Sequence, residues 1–367
     1  MPLGISYYTL QALTYVIDVF RGKFKAEHNP FKVALFVMFF PQLQEGPFGR
    51  YDLLAPQFEE AKGITIDSLY AGIMRIIWGL FKIFMIANRA SIISDAVFNS
   101  YKNYGSYTVI LGGAAFMMQL YAEFSGYIDI SQGVSNIFNI KLTENFDTPF
   151  ISKTVAEFWR RWHISLGSFF RDYVFYPVST SKIIRRATKG LSFNLSNNIN
   201  LFVSLLIVWF LTGLWHGASW KYVFYGLYYF VIIIISTFLP RISKESKALD
   251  VFRIVRTFVL VLVGMIMFRA PDMNVFLCMM RSIFETKAPF DLFLHIDIHD
   301  FIILIVSVLA VVMSALFKLK GVDLNEELSS LKSYQKYLVC LAGVLVVVIF
   351  GAYGFAYMPP DPIYGGF

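Results

Sequence analysis

The stretch WFLTGLWHGASW, residues 209–220, carries one ionisable side chain, His216, in otherwise apolar and aromatic company. How it is read depends on the solvent around it. The chain has 367 residues, 57% of them hydrophobic and 16% charged, and its mean hydropathy is +0.58. A soluble domain carries roughly 25% charged residues, so this balance describes a membrane protein. Lipid is then the medium in which the imidazole has to be explained.

A helix crosses the hydrocarbon core in about 20 apolar residues. Runs that qualify fall at 68–87, 104–121, 201–216, 222–239, 255–268, 301–317 and 337–355. The expected fold is all-α, a polytopic integral membrane protein. Residues 31–40 are too short to span, and they run into FPQLQEGPFGRY, whose Pro and Gly residues break helices. They read as a partial or re-entrant segment. No internal repeat is visible, which weighs against an inverted-repeat transporter. The first twenty residues lack the basic leader and clean apolar core of a secretory signal.

Basic residues in short loops set orientation. Lys182, Arg185, Arg186 and Lys189 precede the 201–216 run, and Arg241, Lys244, Lys247, Arg253 and Arg256 follow residue 239. Both loops are expected to be cytoplasmic. Residues 201–239 then form a helical hairpin whose tip, HGASW, faces outwards. The excess of seven basic residues belongs to such loops, and no nucleic-acid partner is expected. Cys278 and Cys340 lie in apolar runs and read as small hydrophobes.

Residues 154–178, TVAEFWRRWHISLGSFFRDYVFYPV, differ from the spans. Trp159, His163, Leu166 and Phe170 fall at i, i+4, i+7 and i+11, so the spacing predicts one amphipathic helix with His163 on its aromatic stripe. In YAEFSGYIDISQG, Glu123 and Asp129 are the costliest side chains, and Gly126 between them suggests a bend. Asp129 is either a substrate-binding residue or half of an ion pair with Arg75, Lys82, Arg160 or Arg161. Asn194, Asn197 and Asn198 read as cap or interface residues of the following span.

His295, Asp297, His299 and Asp300 alternate in LHIDIHD, a spacing that could ligate an ion. A mixed-charge loop explains them equally, and no metal is expected. His163 and His216 are different. An ionisable group at membrane depth is costly and is a functional candidate by default. Imidazole has an ordinary pKa of about 6.5, and a dry, aromatic setting disfavours its charged form. A neutral ring can take a proton from a hydroxyl. The competing reading is a structural histidine bonded to a carbonyl.

EFWRRWHISLGSFFRDYVFYPV and LTGLWHGASWKYVFYGLYY resemble the two signature blocks of the membrane-bound O-acyltransferase family, in its bacterial branch typified by the membrane subunit of alginate O-acetylation. PLGISYYTLQALTYVIDVFRG, FFPQLQEGPFGRY and EFSGYIDISQGVSNIFNIKLTENFDTPF agree in the same order. The resemblance covers most of residues 1–230. Residues 231–367 resemble the family mainly in hydropathy, with a looser match at the terminal DPIYGGF. It implies a single membrane domain over 1–367, with re-entrant and amphipathic helices around a central cavity. It also implies membrane helices before the PLGIS block, on which this sequence starts. The stretch after RDYVFYP reads VSTSKIIRRATK where alginate-type members have a Gly-rich run, pointing to another sub-branch.

What the family implies of activity is transfer of an acyl group onto a hydroxyl at the cell membrane. His216, in LWHG, takes the position of its catalytic histidine, and His163, in RRWHISL, that of a second lining the same cavity. Trp215, Trp162, Arg160 and Arg161 are candidates for binding substrate or stabilising an oxyanion. The expected acyl donor is a cytoplasmic thioester, acetyl-CoA or an acyl-carrier protein, with no resident cofactor. The expected acceptor is an exported or surface polysaccharide, helped by an extracytoplasmic acyltransferase- or hydrolase-like partner. Alternatives are D-alanyl transfer to teichoic acid and a non-catalytic channel or export component.

Overall fold

The computed structural model describes residues 4–43, 45–104, 106–239, 246–285 and 296–353. It divides into two compact units, Met1–Thr143 with Met279–Phe367, and Glu144–Cys278. Among the described residues every regular element is a helix, and the one β-type pairing is an isolated bridge between Phe146 and Trp162. His295, Arg241, Lys244 and the terminal DPIYGGF lie outside the described residues.

In the first unit the chain forms α1 (Ile5–Phe20), α2 (Pro30–Val37), α3 (Tyr51–Glu60), α4 (Ile66–Phe81), α5 (Asn88–Asn99) and α6 (Ser106–Ile137). Asn29 caps α2 through Phe31 N, with Pro30 at the first helical position, where its missing N–H costs nothing. Thr65 and Ser68 close a reciprocal capping box on α4. A π-helical turn, Lys82–Ala87, joins α4 to α5, so the expected 68–87 span continues without a break to Asn99.

The expected bend at Gly126 is absent. Helix α6 runs unbroken through Ser106–Ile137. A Cβ on Gly126 would stand 2.8 Å from the Gly79 carbonyl, so the residue serves backbone-to-backbone approach of α4 and α6. Between these helices Asp129 pairs with Arg75 at 3.2 Å and with Lys82 at 2.6 Å. Lys82 Nζ also donates to Ser125 Oγ. These are two of the four cations named from the sequence.

The second unit contains α7 (Val155–Arg161), α8 (Ile164–Phe170), α9 (Tyr176–Ser179), α10 (Lys182–Ala187), α11 (Phe193–Trp215), α12 (Trp220–Phe238) and α13 (Lys247–Arg269). Ser192 caps α11, and the asparagines at 194, 197 and 198 lie within its first turns rather than at the cap. α14 (Met273–Ser282) contains the division point. α15 (Ile298–Leu319), α16 (Leu324–Ser329) and α17 (Ser333–Phe350) complete the first unit.

Among the described residues six helical stretches are long and apolar enough to span: Ile66–Asn99, Phe193–Trp215, Trp220–Phe238, Lys247–Arg269, Ile298–Leu319 and Ser333–Phe350. They account for six of the seven runs read from sequence. The seventh, 104–121, is the apolar first half of α6. In α17 only 6% of the most apolar window is buried, which fits a lipid-facing surface. Arg89, buried in this unit, donates to Asp300 Oδ1, Phe84 O and Phe350 O. That spends the Asp300 carboxylate on an arginine. Asp297 accepts from His299 N and caps α15.

Candidate active site

Both candidate histidines belong to the second unit. α11 and α12 form the expected hairpin, and His216 is the residue on which α11 ends. The hairpin closes tightly because Gly226 lies against the Trp209 carbonyl, where any Cβ would collide with the oxygen. His216 is 4% exposed. Its ring is enclosed by Trp215 at 4.8 Å, Phe268 at 5.1 Å, Tyr225 at 5.8 Å and Tyr222 at 6.3 Å between centroids. Lys221 reinforces this wall by donating to the Ala270 carbonyl at 2.9 Å, tying the start of α12 to the end of α13 beside Phe268.

His163 is reached differently from the way its spacing suggests. The amphipathic stretch is not one helix. α7 ends at Arg161, α8 starts at Ile164, and His163 between them takes a left-handed conformation, φ 48° and ψ 53°. That region is uncommon for residues other than glycine. The break is held by a distant segment. Phe146 bridges Trp162, Asp147 N donates to Arg161 O at 2.9 Å, and Ile164 N donates to Asn145 O at 3.0 Å. A non-local pairing overrides a helical period.

The break brings His163 towards His216. Its ring centroid is 5.8 Å from that of Trp215, which in turn touches His216. Burial, and after it the proximity of His216, holds the His163 imidazole well below its ordinary value. Both imidazoles lie against Trp215 in an aromatic enclosure.

The other sequence candidates fall in several places. Trp215 contacts both histidines. Trp162 packs among Phe146, Phe150 and Phe158. Arg161 is engaged by Glu157 at 3.1 Å and by Asp147 at 3.5 Å. Arg160 is exposed. Asp129 belongs to the first unit, in the ion pair already described.

Two residues that the sequence reading did not single out stand here. Asn145, fully buried, contacts His163 Nδ1 through Oδ1 at 3.3 Å. Trp159 packs edge-on against Trp209, Tyr225 and Tyr229, and its buried indole N–H has no hydrogen-bond partner among the described residues. Asn145 sits in TENFDTPF, a polar loop in which nothing local marks one side chain from its neighbours. Trp159 was read as part of an apolar stripe.

This arrangement, two buried histidines on separate elements meeting through a tryptophan, coincides with a match over residues 20–280 to the model of the membrane-bound O-acyltransferase family. The chain belongs to the membrane-bound O-acyltransferase family. The chain is 35% identical over 285 residues to the probable alginate O-acetylase of Pseudomonas aeruginosa, covering 78% of this chain and 52% of the relative. To the teichoic acid D-alanyltransferase of Bacillus subtilis it is 32% identical over 254 residues, 67% of this chain and 61% of the relative. To the peptidoglycan O-acetyltransferase of Helicobacter pylori it is 29% identical over 253 residues, 62% and 46% respectively. The chain spans about half the length of the alginate-type relatives. As a member of this family with six apolar helices of spanning length among its described residues, it is a multi-pass membrane protein.

Proposed function

We propose that the chain carries the reaction centre of an O-acyltransferase of the cell membrane, moving an acetyl group from a thioester onto a hydroxyl of an exported or surface polysaccharide. The observation that supports this best is the pairing of His216 and His163 in one dry aromatic enclosure. Burial keeps such rings uncharged and able to accept protons.

In the proposed step, His216 takes the proton of the acceptor hydroxyl while its oxygen attacks the thioester carbonyl. The tetrahedral oxyanion collapses, the carbon–sulfur bond breaks, and the departing thiolate takes the proton back from the imidazolium. The products are an ester and a free thiol. Trp215 is the preferred oxyanion donor, because Trp162 is packed among phenylalanines, Arg161 is held by carboxylates and Arg160 is exposed. Acetyl-CoA and an acyl-carrier protein both fit as cytoplasmic donors. A hydrolase-like partner outside the membrane would finish delivery to the polymer.

D-alanyl transfer to teichoic acid is the second reading, favoured by the likeness to the Bacillus subtilis D-alanyltransferase. The test is to express the gene and its His216→Ala variant in a host lacking the activity, and to measure ester-linked acetate and D-alanine on surface polymers. We expect acetate to appear only with His216. Label independent of His216 would end the assignment, and D-alanine in place of acetate would select the second reading.

A further inference from the structure

We infer that Asn145 is a positioning residue that fixes the tautomer of His163, leaving Nε2 as its unprotonated nitrogen. The inference rests on the acyltransferase reading and adds a residue to it.

A backbone N–H can only donate, so the Asn145 atom that meets Ser165 N at 2.9 Å is the amide oxygen. Ser165 Oγ donates to the same oxygen at 3.0 Å. With that oxygen fixed, His163 Nδ1, 3.3 Å away, faces an acceptor. A neutral imidazole carries one N–H, so a hydrogen on Nδ1 leaves the lone pair on Nε2. The separation is long for a hydrogen bond. The opposite tautomer would set two acceptors against each other at that distance, in a site too dry to screen them.

Asn145 is held for this task. Its carbonyl accepts from Ile164 N, and the Phe146–Trp162 bridge anchors the next residue. His163 occupies the cap position of α8, yet its own side chain makes no cap hydrogen bond. Asn145 supplies that cap from eighteen positions earlier in the chain, through Ser165 N. The imidazole is therefore not spent on the helix. The left-handed backbone at His163 is strained for a residue with a side chain, and the bridge and the cap together hold it. The indole of Trp215 also faces the ring, and His216 is a titratable neighbour that acts on it.

The test uses the full chain in bilayers, with thioester turnover onto the acceptor as readout. Asn145→Asp keeps an acceptor for Ser165 N and Nδ1–H and adds a negative charge, which favours the imidazolium. We expect the acid limb of kcat/KM to move up by about one pH unit or more, with KM for the donor unchanged. Asn145→Ala is expected to lower kcat by about 10²-fold. A fall in rate with an unmoved acid limb in Asn145→Asp would overturn the inference, as would full turnover by Asn145→Ala. A 15N spectrum of wild-type protein labelled at histidine supplies a readout needing neither variant, with His163 assigned from the signal lost in His163→Gln. The Nδ1–H form is expected, and an Nε2–H form overturns the inference. Wild-type protein inert towards every thioester would instead count against the acyltransferase reading, while the spectrum still decides the tautomer.

Discussion

Trp215 is in ring contact with both histidines of the site, 5.8 Å from His163 and 4.8 Å from His216. It links the break between α7 and α8 to the end of α11. Its ring sets the spacing of the two imidazoles, and its N–H is the donor we assign to the oxyanion.

Those two roles separate by substitution. Trp215→Phe keeps an aromatic spacer and removes the N–H. Loss of an oxyanion donor costs about 10²–10³ in kcat, so turnover should fall by about that factor with little change in thermal midpoint. Trp215→Ala should also destabilise, by about 3–5 kcal/mol. Unchanged turnover in Trp215→Phe would remove the indole from catalysis.

Asp129 raises a different question, because Arg75 and Lys82 already hold it. Removing one member of a buried pair costs about 3–5 kcal/mol, since a charge is left uncompensated. Asp129→Asn should therefore unfold more readily in detergent than wild type. Lys82→Met with Asp129→Leu should recover part of that loss. Turnover that returns with stability marks the carboxylate as structural. A stable but inactive double variant would mark it as a substrate contact.

Gly226 tests how the hairpin presents His216. Any side chain there meets the Trp209 carbonyl, and overpacking costs about 1–3 kcal/mol. Gly226→Leu should splay α11 from α12, lower the thermal midpoint and lose turnover. Retained activity would show that His216 does not depend on close approach of the two helices.

The spans were legible because lipid demands long apolar runs, and hydropathy reads these directly. The capped hairpin with His216 at its tip was legible for the same reason. The geometry at His163 was not. Trp159, His163, Leu166 and Phe170 keep a helical period straight across the point where the helix stops, and the cause of the break lies in residues 145–147. Gly126 misled in the opposite direction: a residue that breaks isolated helices is used here to let two backbones touch. Asn145 was invisible because its importance comes wholly from what the fold places beside it.

The pairing of Phe146 with Trp162 also fixes the chain length between the two segments it joins. Residues 148–160 form a closed excursion whose ends are pinned, so adding or deleting one residue there would twist the imidazole away from its neighbour. Among the described residues the stretch around 180–191 shows no backbone bridge of this kind, its tie to α11 being the Ser196 Oγ donation to Thr188 Oγ1. Evolutionary drift in loop size should therefore be barred in the first segment and common in the second.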